Sequence, residues 1–370
     1  MAICRAFIDA MTHHLGKVKK MAHHLDFTLG KAAIAYKASN GTPWHGYGEF
    51  IESGDSAADI VRKAGIDYSV IKAPLFYNAI INGESVMKDY ENRAALYRSD
   101  TGDHLGIMSE SHYVPAQPID LVQGIMSLCD SGEFEIDVAG ALKGGTVIWA
   151  LLKRVGAEFD IGKGGFADLV NQYLLVTTSY NGTIARQGRF SEIRTVCNNT
   201  LTATLGEKSK AVAKQRNSAE FDLQRQESLF GKLAEHDKAF ADMIERQKAM
   251  ADIKISSDTL ARYFGKIYAP KAFNNPDNWI KDKHFDFNRD GVTTNQKNTI
   301  AALIEAFQDS PGSDLPSANG TLWGALNAVT FYQDHAARTK EGKRWESATI
   351  GNGERVKNLA HETAFELLNA

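Results

Sequence analysis

The fold is decided by residues 134–154, which read FEIDVAGALKGGTVIWALLKR. Phe134, Ile136 and Val138 alternate with polar residues, as in a strand that buries one face. Gly144 and Gly145 can adopt the positive φ angles of a two-residue hairpin turn. This turn places Leu142 opposite Val147 and Gly140 opposite Trp149, so that an indole covers backbone that glycine leaves bare.

Hairpin patterns continue on both sides of this segment. Residues 93–98 and 104–109 flank a tight turn at 100–103, and residues 173–196 fold back around an Asn-Gly pair at 181–182. Residues 67–77 predict an earlier strand, in which Pro74 suits an edge or a break. Between these strands, apolar residues at helical spacing predict a helix over 118–129.

The period changes from about residue 219 onwards. Apolar residues recur at three- and four-residue steps and predict a long amphipathic helix packed against the sheet: Leu229, Leu233, Phe240, Met243, Ile244 and Met250. Further helices are predicted near 294–307 and 321–337. We therefore predict an α+β fold with an antiparallel sheet of hairpins over 65–200, a long packed helix and a helical C-terminal region. The predicted divisions are a disordered extension at 1–20, an α+β core at 21–265 and a mainly helical region at 266–370.

Composition places the chain among ordinary globular proteins. Its 370 residues are 43% hydrophobic and 24% charged, which excludes a disordered chain and a disulfide scaffold. Cys4, Cys129 and Cys197 have no paired spacing, which indicates free thiols in a reducing compartment. The sequence contains no run of the roughly 18 apolar residues that a membrane span requires. We expect a cytoplasmic protein without a membrane partner.

The formal net charge of -3 hides an asymmetry along the chain. Residues 21–140 hold 8 Lys and Arg against 17 Asp and Glu, whereas residues 141–225 hold 12 against 7. The basic middle segment is typical of a surface that binds a polyanion. Equally, its charges can pair with the acidic first third. The sequence leaves both interpretations open.

Motifs of enzymes and metal sites are incomplete. The segment 156–164 has five residues between Gly156 and Gly162, where a phosphate-binding P-loop needs four. Asp286, Asn288 and Asp290 match half of a calcium loop, but Lys297 stands where a bidentate Glu belongs. The scattered histidines have no Ser or Cys in a recognisable nucleophile context. We predict no catalytic residue, metal or cofactor, and we favour a protein that is not an enzyme.

One set of residues suits nucleic acid. Basic side chains on the predicted hairpin and the segment after it can contact phosphates, and two aromatic side chains can stack on bases. The candidate nucleic-acid-binding residues are Lys143, Arg186, Arg189, Arg194, Lys208, Lys210, Lys214, Trp44 and Tyr180. A solvated face and an aromatic plug over the sheet are the alternative interpretations.

Several strings are familiar. PWHG at 43–46, CNNTL at 197–201 and WGALNAVT at 323–330 resemble the phage/plasmid-like protein family. That family is defined by a conserved domain of unknown function found in bacteriophages, plasmids and mobile islands. The resemblance implies a mobile-element protein of the bacterial cytoplasm and supplies no catalytic mechanism. Paired hairpins crossed by a long helix are also similar in architecture to phage single-strand annealing recombinases.

Two functions follow as hypotheses. The first is a nucleic-acid-binding protein that engages single-stranded DNA during replication or recombination. The alternative is a non-enzymatic factor that binds a host defence or replication protein through the acidic first third or an apolar patch near the last helix. Whether Arg186, Arg189 and Arg194 share one exposed face or pair with Asp and Glu separates the two. An oligomer is compatible with either function.

Overall fold

The computed structural model describes residues 27–28, 31–37, 48–194, 199–201, 213–215, 240–339 and 344–370. Its architecture is α+β, as predicted: antiparallel sheets dominate the first half of the chain and helices the last third. The described strands are β1 (Phe27–Thr28), β2 (Lys31–Ala32), β3 (Ile34–Lys37), β4 (Glu49–Ile51), β5 (Val70–Ile81), β6 (Glu84–Arg98), β7 (His104–Ser109), β8 (Phe134–Leu142), β9 (Val147–Asp160), β10 (Leu169–Ser179), β11 (Arg186–Arg194), β12 (Asn199–Leu201) and β13 (Ala213–Gln215).

Eight of these strands form the large sheet, in the order β12-β11-β10-β9-β8-β3-β4, with β13 also paired to β11. Neighbours are antiparallel except β3 and β4, which are parallel. The predicted hairpins over 134–154 and 173–196 form its centre. The sequence predicted one sheet over residues 65–200. In the structure, the strands of this range belong to two sheets, the large one and a smaller one of three strands.

The deciding hairpin has the predicted register. Leu142 pairs with Val147 and Gly140 with Trp149. Gly144 and Gly145 have φ angles of 66° and 88°, as a two-residue turn requires. The backbone of the neighbouring segment, rather than an indole, explains the glycine at 140, because a Cβ there would lie 2.5 Å from the Ala33 carbonyl oxygen.

The smaller sheet contains β5, β6 and β7 in that order. β5 and β6 pair from Val70 with Arg98 to Ile81 with Glu84, with a shift of register between Pro74 and Phe76. Asn82 and Gly83 connect them with φ angles of 52° and 89°. β7 pairs with the Arg93–Tyr97 part of β6, so the distal part of the hairpin is a two-stranded ribbon. We call residues 75–92 the arm.

The helices are α1 (Ala57–Lys63), α2 (Pro118–Cys129), α3 (240–252), α4 (Ser257–Tyr268), α5 (Thr294–Asp309), α6 (Leu322–Phe331), α7 (Arg344–Ile350) and α8 (Asn352–Leu368). A π-helical turn, Tyr332–Ala336, continues α6, and two short 3₁₀ segments, Pro270–Ala272 and Pro276–Lys281, follow α4. The predicted helix over 118–129 is confirmed with the same bounds.

α3 is the described part of the predicted long helix. The earlier part of that prediction, residues 219–239, lies outside the described residues. It contacts the large sheet at two places. The Phe240 ring lies 4.8 Å from the Phe159 ring of β9, and the Gln247 amide donates to Glu192 of β11 at 2.9 Å. The expectation that this helix packs against the sheet is confirmed for its described turns.

Two large hydrophobic cores position the elements. The first packs α1 and α2 against the large sheet and includes Ile125, Ile148 and Leu174. The second fills the C-terminal helices and reaches the sheet at Ile161 and Val170. Residue 265, where the sequence predicted a division, lies inside α4, whose neighbours in the core come from both sides of that position.

Candidate functional site

Arg194, a predicted phosphate ligand, lies in the protein interior. Its guanidinium donates Nε to Asp168 Oδ1 at 2.6 Å and Nη2 to Asp168 Oδ2 at 2.7 Å, and both side chains are buried. The Ser317 hydroxyl and the Trp323 indole also donate to Asp168 Oδ2, at 2.7 and 3.0 Å. The carboxylate thus joins the large sheet to the C-terminal helices through four hydrogen bonds.

The electrostatics agree with this geometry. Burial raises the pKa of Asp168, but the hydrogen bond and charge of Arg194, with Ser317 and Trp323, outweigh it and leave the pKa below its ordinary value. Arg194 Nη2 also donates to the Gly312 carbonyl at 3.1 Å. This bidentate pair is a structural link, because its donors already point at protein acceptors.

The other two arginines of β11 are also committed to the fold. Arg189 donates to Glu354 of α8 at 2.6 Å. Arg186 is buried near Tyr113, Tyr180 and Asp120, and burial lowers the pKa of its guanidinium. The three predicted arginines therefore do not share one exposed face.

Tyr180, the predicted stacking residue on the hairpin, is buried as well. It is 1% exposed, and its hydroxyl donates to the Ala116 carbonyl at 2.8 Å. Placement in the interior corrects the prediction that Arg186, Arg194 and Tyr180 contact nucleic acid. The reason is strand alternation: Arg186 and Arg194 lie on the same face of β11, and helices and loops cover that face.

The remaining predicted residues lie at the surface or outside the description. Lys143 is half-exposed at the hairpin turn, with a φ of 58°. Lys214 lies on β13 opposite Gln187 of β11. Trp44, Lys208 and Lys210 lie outside the described residues. Their contact with nucleic acid stays a prediction.

A second buried acid accompanies the arginines on β11. Glu192 is 1% exposed and accepts one hydrogen bond from Gln247. Burial raises the pKa of this carboxyl to about 8, and the Gln247 hydrogen bond offsets only part of that effect. At neutral pH the folded protein therefore keeps Glu192 protonated.

The arm is where the described chain exposes most of its large apolar side chains. Of thirteen such residues, seven lie within the arm: Phe76, Tyr77, Ile80, Ile81, Val86, Met87 and Tyr90. Ile80 and Met87 are 72% and 70% exposed. Contiguous apolar patches of this kind mark interaction sites on soluble proteins.

The arm carries apolar side chains on both of its faces. Phe76 and Ile80 lie on one face of the arm, because they are separated by an even number of residues along β5. Met87 lies on the same face, because it pairs with Asn78, which is midway between them. Tyr77 and Tyr90 lie on the other, where their rings meet edge to face at 5.9 Å. A ribbon of two strands has too few neighbours to bury either face by itself.

Sequence reasoning missed this surface although a signal for it existed. Asn82-Gly83 between two β-prone runs is a strong hairpin signal. The apolar residues on either side of it suggest burial in a sheet. The absence of a covering layer among the described elements is a tertiary property that the local pattern does not contain.

Other candidate sites carry little chemistry. A shallow depression of about 400 Å³ is lined by Pro270, Lys271, Phe273, Asn274, Pro276, Arg289 and Asp290. In the half calcium loop, Lys297 donates to Asn288, which fits a turn. Within the described ranges no cluster of His, Cys, Asp and Glu could hold a metal ion. The same ranges contain no helix long and apolar enough to cross a bilayer.

These observations define an α+β protein with an internally paired sheet and an exposed β-arm. Residues 104–350, more than half of the chain, match the family model described as Domain of unknown function (DUF932). The chain belongs to this family. No curated protein and no solved structure matches it.

Breaking the Arg194–Asp168 pair tests its structural role. We expect Arg194→Met to lower the free energy of unfolding by about 3–5 kcal/mol, because it leaves the Asp168 charge buried without its partner. Urea denaturation measures the change. Lys248→Met is the control, since Lys248 pairs with Glu245 at the exposed surface, and it should change stability by about 0.5 kcal/mol or less. Equal effects of the two substitutions would contradict the structural role.

The raised pKa of Glu192 predicts a dependence of stability on pH. Between the unfolded pKa near 4.5 and the folded pKa of about 8, the folded state holds a proton that the unfolded state has lost. Stability from this group therefore falls as pH rises through that window. Burial holds the pKa of His361 near 4, so its opposing effect ends near pH 6.5, where unfolded histidine loses its proton.

The window from pH 6.5 to 8 lies above the effect of His361, and comparison with Glu192→Gln removes the contribution of the other groups. Relative to Glu192→Gln, the unmodified chain should lose about 1.6 kcal/mol of unfolding free energy over this window. Urea denaturation of both proteins at the two pH values gives the difference. Parallel curves would show that Glu192 is already ionised in the folded protein.

Proposed function

We propose that this chain is a non-enzymatic protein-binding factor of a phage or plasmid, acting in the bacterial cytoplasm on a host defence or replication protein. The binding surface in this proposal is the arm. The observation that carries it is the concentration of exposed apolar side chains there, including Phe76, Ile80 and Met87. The arm lies within the acidic first third of the chain, whose charge disfavours a polyanion as its partner.

The placement of the hairpin arginines supports the same choice. Arg194 pairs with Asp168 and Arg189 with Glu354, so both of these arginines are engaged inside the protein. Because Arg186, Arg194 and Tyr180 are buried, binding and annealing of single-stranded DNA would depend on the remaining candidates. These include Lys143, Lys208, Lys210, Lys214 and Trp44. No contact in the described ranges favours that function over protein binding.

Photo-crosslinking in the host cell tests the proposal. A benzophenone amino acid replaces Ile80 on the arm or, as the control, Val155, an apolar residue of β9 that is 55% exposed. We expect discrete adducts from position 80 to a protein of another mass, which protease removes and nuclease leaves intact, with background labelling at 155. Adducts at position 80 that nuclease alone removes, or identical patterns at both positions, would overturn the proposal.

A further inference from the structure

The two edges of the arm differ in chemistry. The β5 edge, residues 75–81, reads LFYNAII and contains no charge, no proline and no glycine. The β6 edge carries Glu84, Lys88, Asp89 and Glu91. Charged residues on an edge strand prevent pairing with other strands, and their absence leaves an edge open to it. The arm is therefore protected on one side only.

The composition of the β5 edge favours pairing with an identical segment. Short segments of high β-propensity that lack charge and proline pair readily with copies of themselves. In the order β5-β6-β7, β5 is the edge strand, and no other described strand lies beside it. Residues 75–81 span about 24 Å, which is long enough for a continuous ladder of hydrogen bonds.

We propose that β5 pairs antiparallel with β5 of a second copy of this chain, around a two-fold axis at Asn78. This inference rests on the proposed role of the arm as a binding surface and adds a second partner: the backbone edge of β5 takes a second copy of the chain, and the apolar faces of the arm remain for the host protein. The register places Phe76 opposite Ile80 of the second copy, and Tyr77 opposite Ala79. Both are apolar pairs, and each occurs twice because a two-fold interface is self-complementary.

Charge selects this arrangement over its alternative. Each arm has one Lys and three acidic residues, all on β6, so adjacent β6 strands would bring like charges together. In the β5 arrangement the two β6 strands lie three strand spacings, or about 14 Å, apart. This distance exceeds the screening length of about 8 Å at physiological salt. The result is a four-stranded ribbon with its charges at the outer edges.

Disulfide trapping tests the register. Asn78→Cys places two thiols opposite each other across the axis, within the distance that a disulfide spans. Ser85→Cys is the matched control, because Ser85 is exposed on the same face of the arm but belongs to β6. Under mild oxidation of the full chain, we expect Asn78→Cys to form a covalent dimer as the main product. Ser85→Cys should stay at the background of the unmodified chain, which contains Cys4, Cys129 and Cys197.

Sedimentation velocity provides a second, non-covalent measurement. Ile80→Lys adds a charge to the β5 edge and should weaken self-association by about tenfold or more. Val155→Lys changes an exposed apolar residue of β9, outside the arm, and should leave the association constant unchanged. Because both positions are exposed, neither variant removes a core contact.

The outcomes separate this inference from the proposed function. Covalent dimers from Asn78→Cys alone support pairing with a second copy. Equal trapping at both positions, or trapping at neither, overturns it. If neither cysteine traps a dimer while position 80 photo-crosslinks to a protein of another mass, the inference fails and the proposed function stands. If position 80 also fails to crosslink, both fail.

Discussion

The buried pair of Arg194 and Asp168 is the interaction on which the rest of the structure depends. Asp168 precedes β10, Arg194 ends β11, and Ser317 and Trp323 belong to the C-terminal region. Removing two charges from water costs several kcal/mol for each ion, which a bidentate geometry and further hydrogen bonds offset. Because those bonds come from distant parts of the chain, the sheet and the C-terminal helices must assemble together for the pair to be satisfied.

This constraint explains why the three arginines of β11 do not form a basic surface. Arg189 reaches across to Glu354 of α8, and Arg186 lies inside near α2. The protein thus uses arginines of one strand to attach the sheet to the elements around it. The apolar arm, which contributes little to either core, remains available for binding.

Local signals predicted much of the fold. The hairpin around Gly144-Gly145, the helix over 118–129 and the α+β class all follow from turn residues and periodicity over short windows. The separation into two sheets and the partner of Arg194 could not be predicted in this way. Asp168 lies 26 residues from Arg194 in the sequence and 149 residues from Ser317, and no local pattern encodes such contacts. The arm could be predicted as a hairpin from Asn82-Gly83, but its exposure depends on which elements pack nearby.

Hydrogen exchange of the full chain, with and without a single-stranded oligonucleotide at low salt, tests most directly whether the β11 arginines belong to the interior. We predict that amides of Arg186–Arg194 exchange slowly, because β11 pairs with β10 along its length and with β12 and β13 at its two ends. We also predict that the oligonucleotide leaves their exchange rates unchanged. Fast exchange in β11, or protection of these amides by the oligonucleotide, would contradict the account.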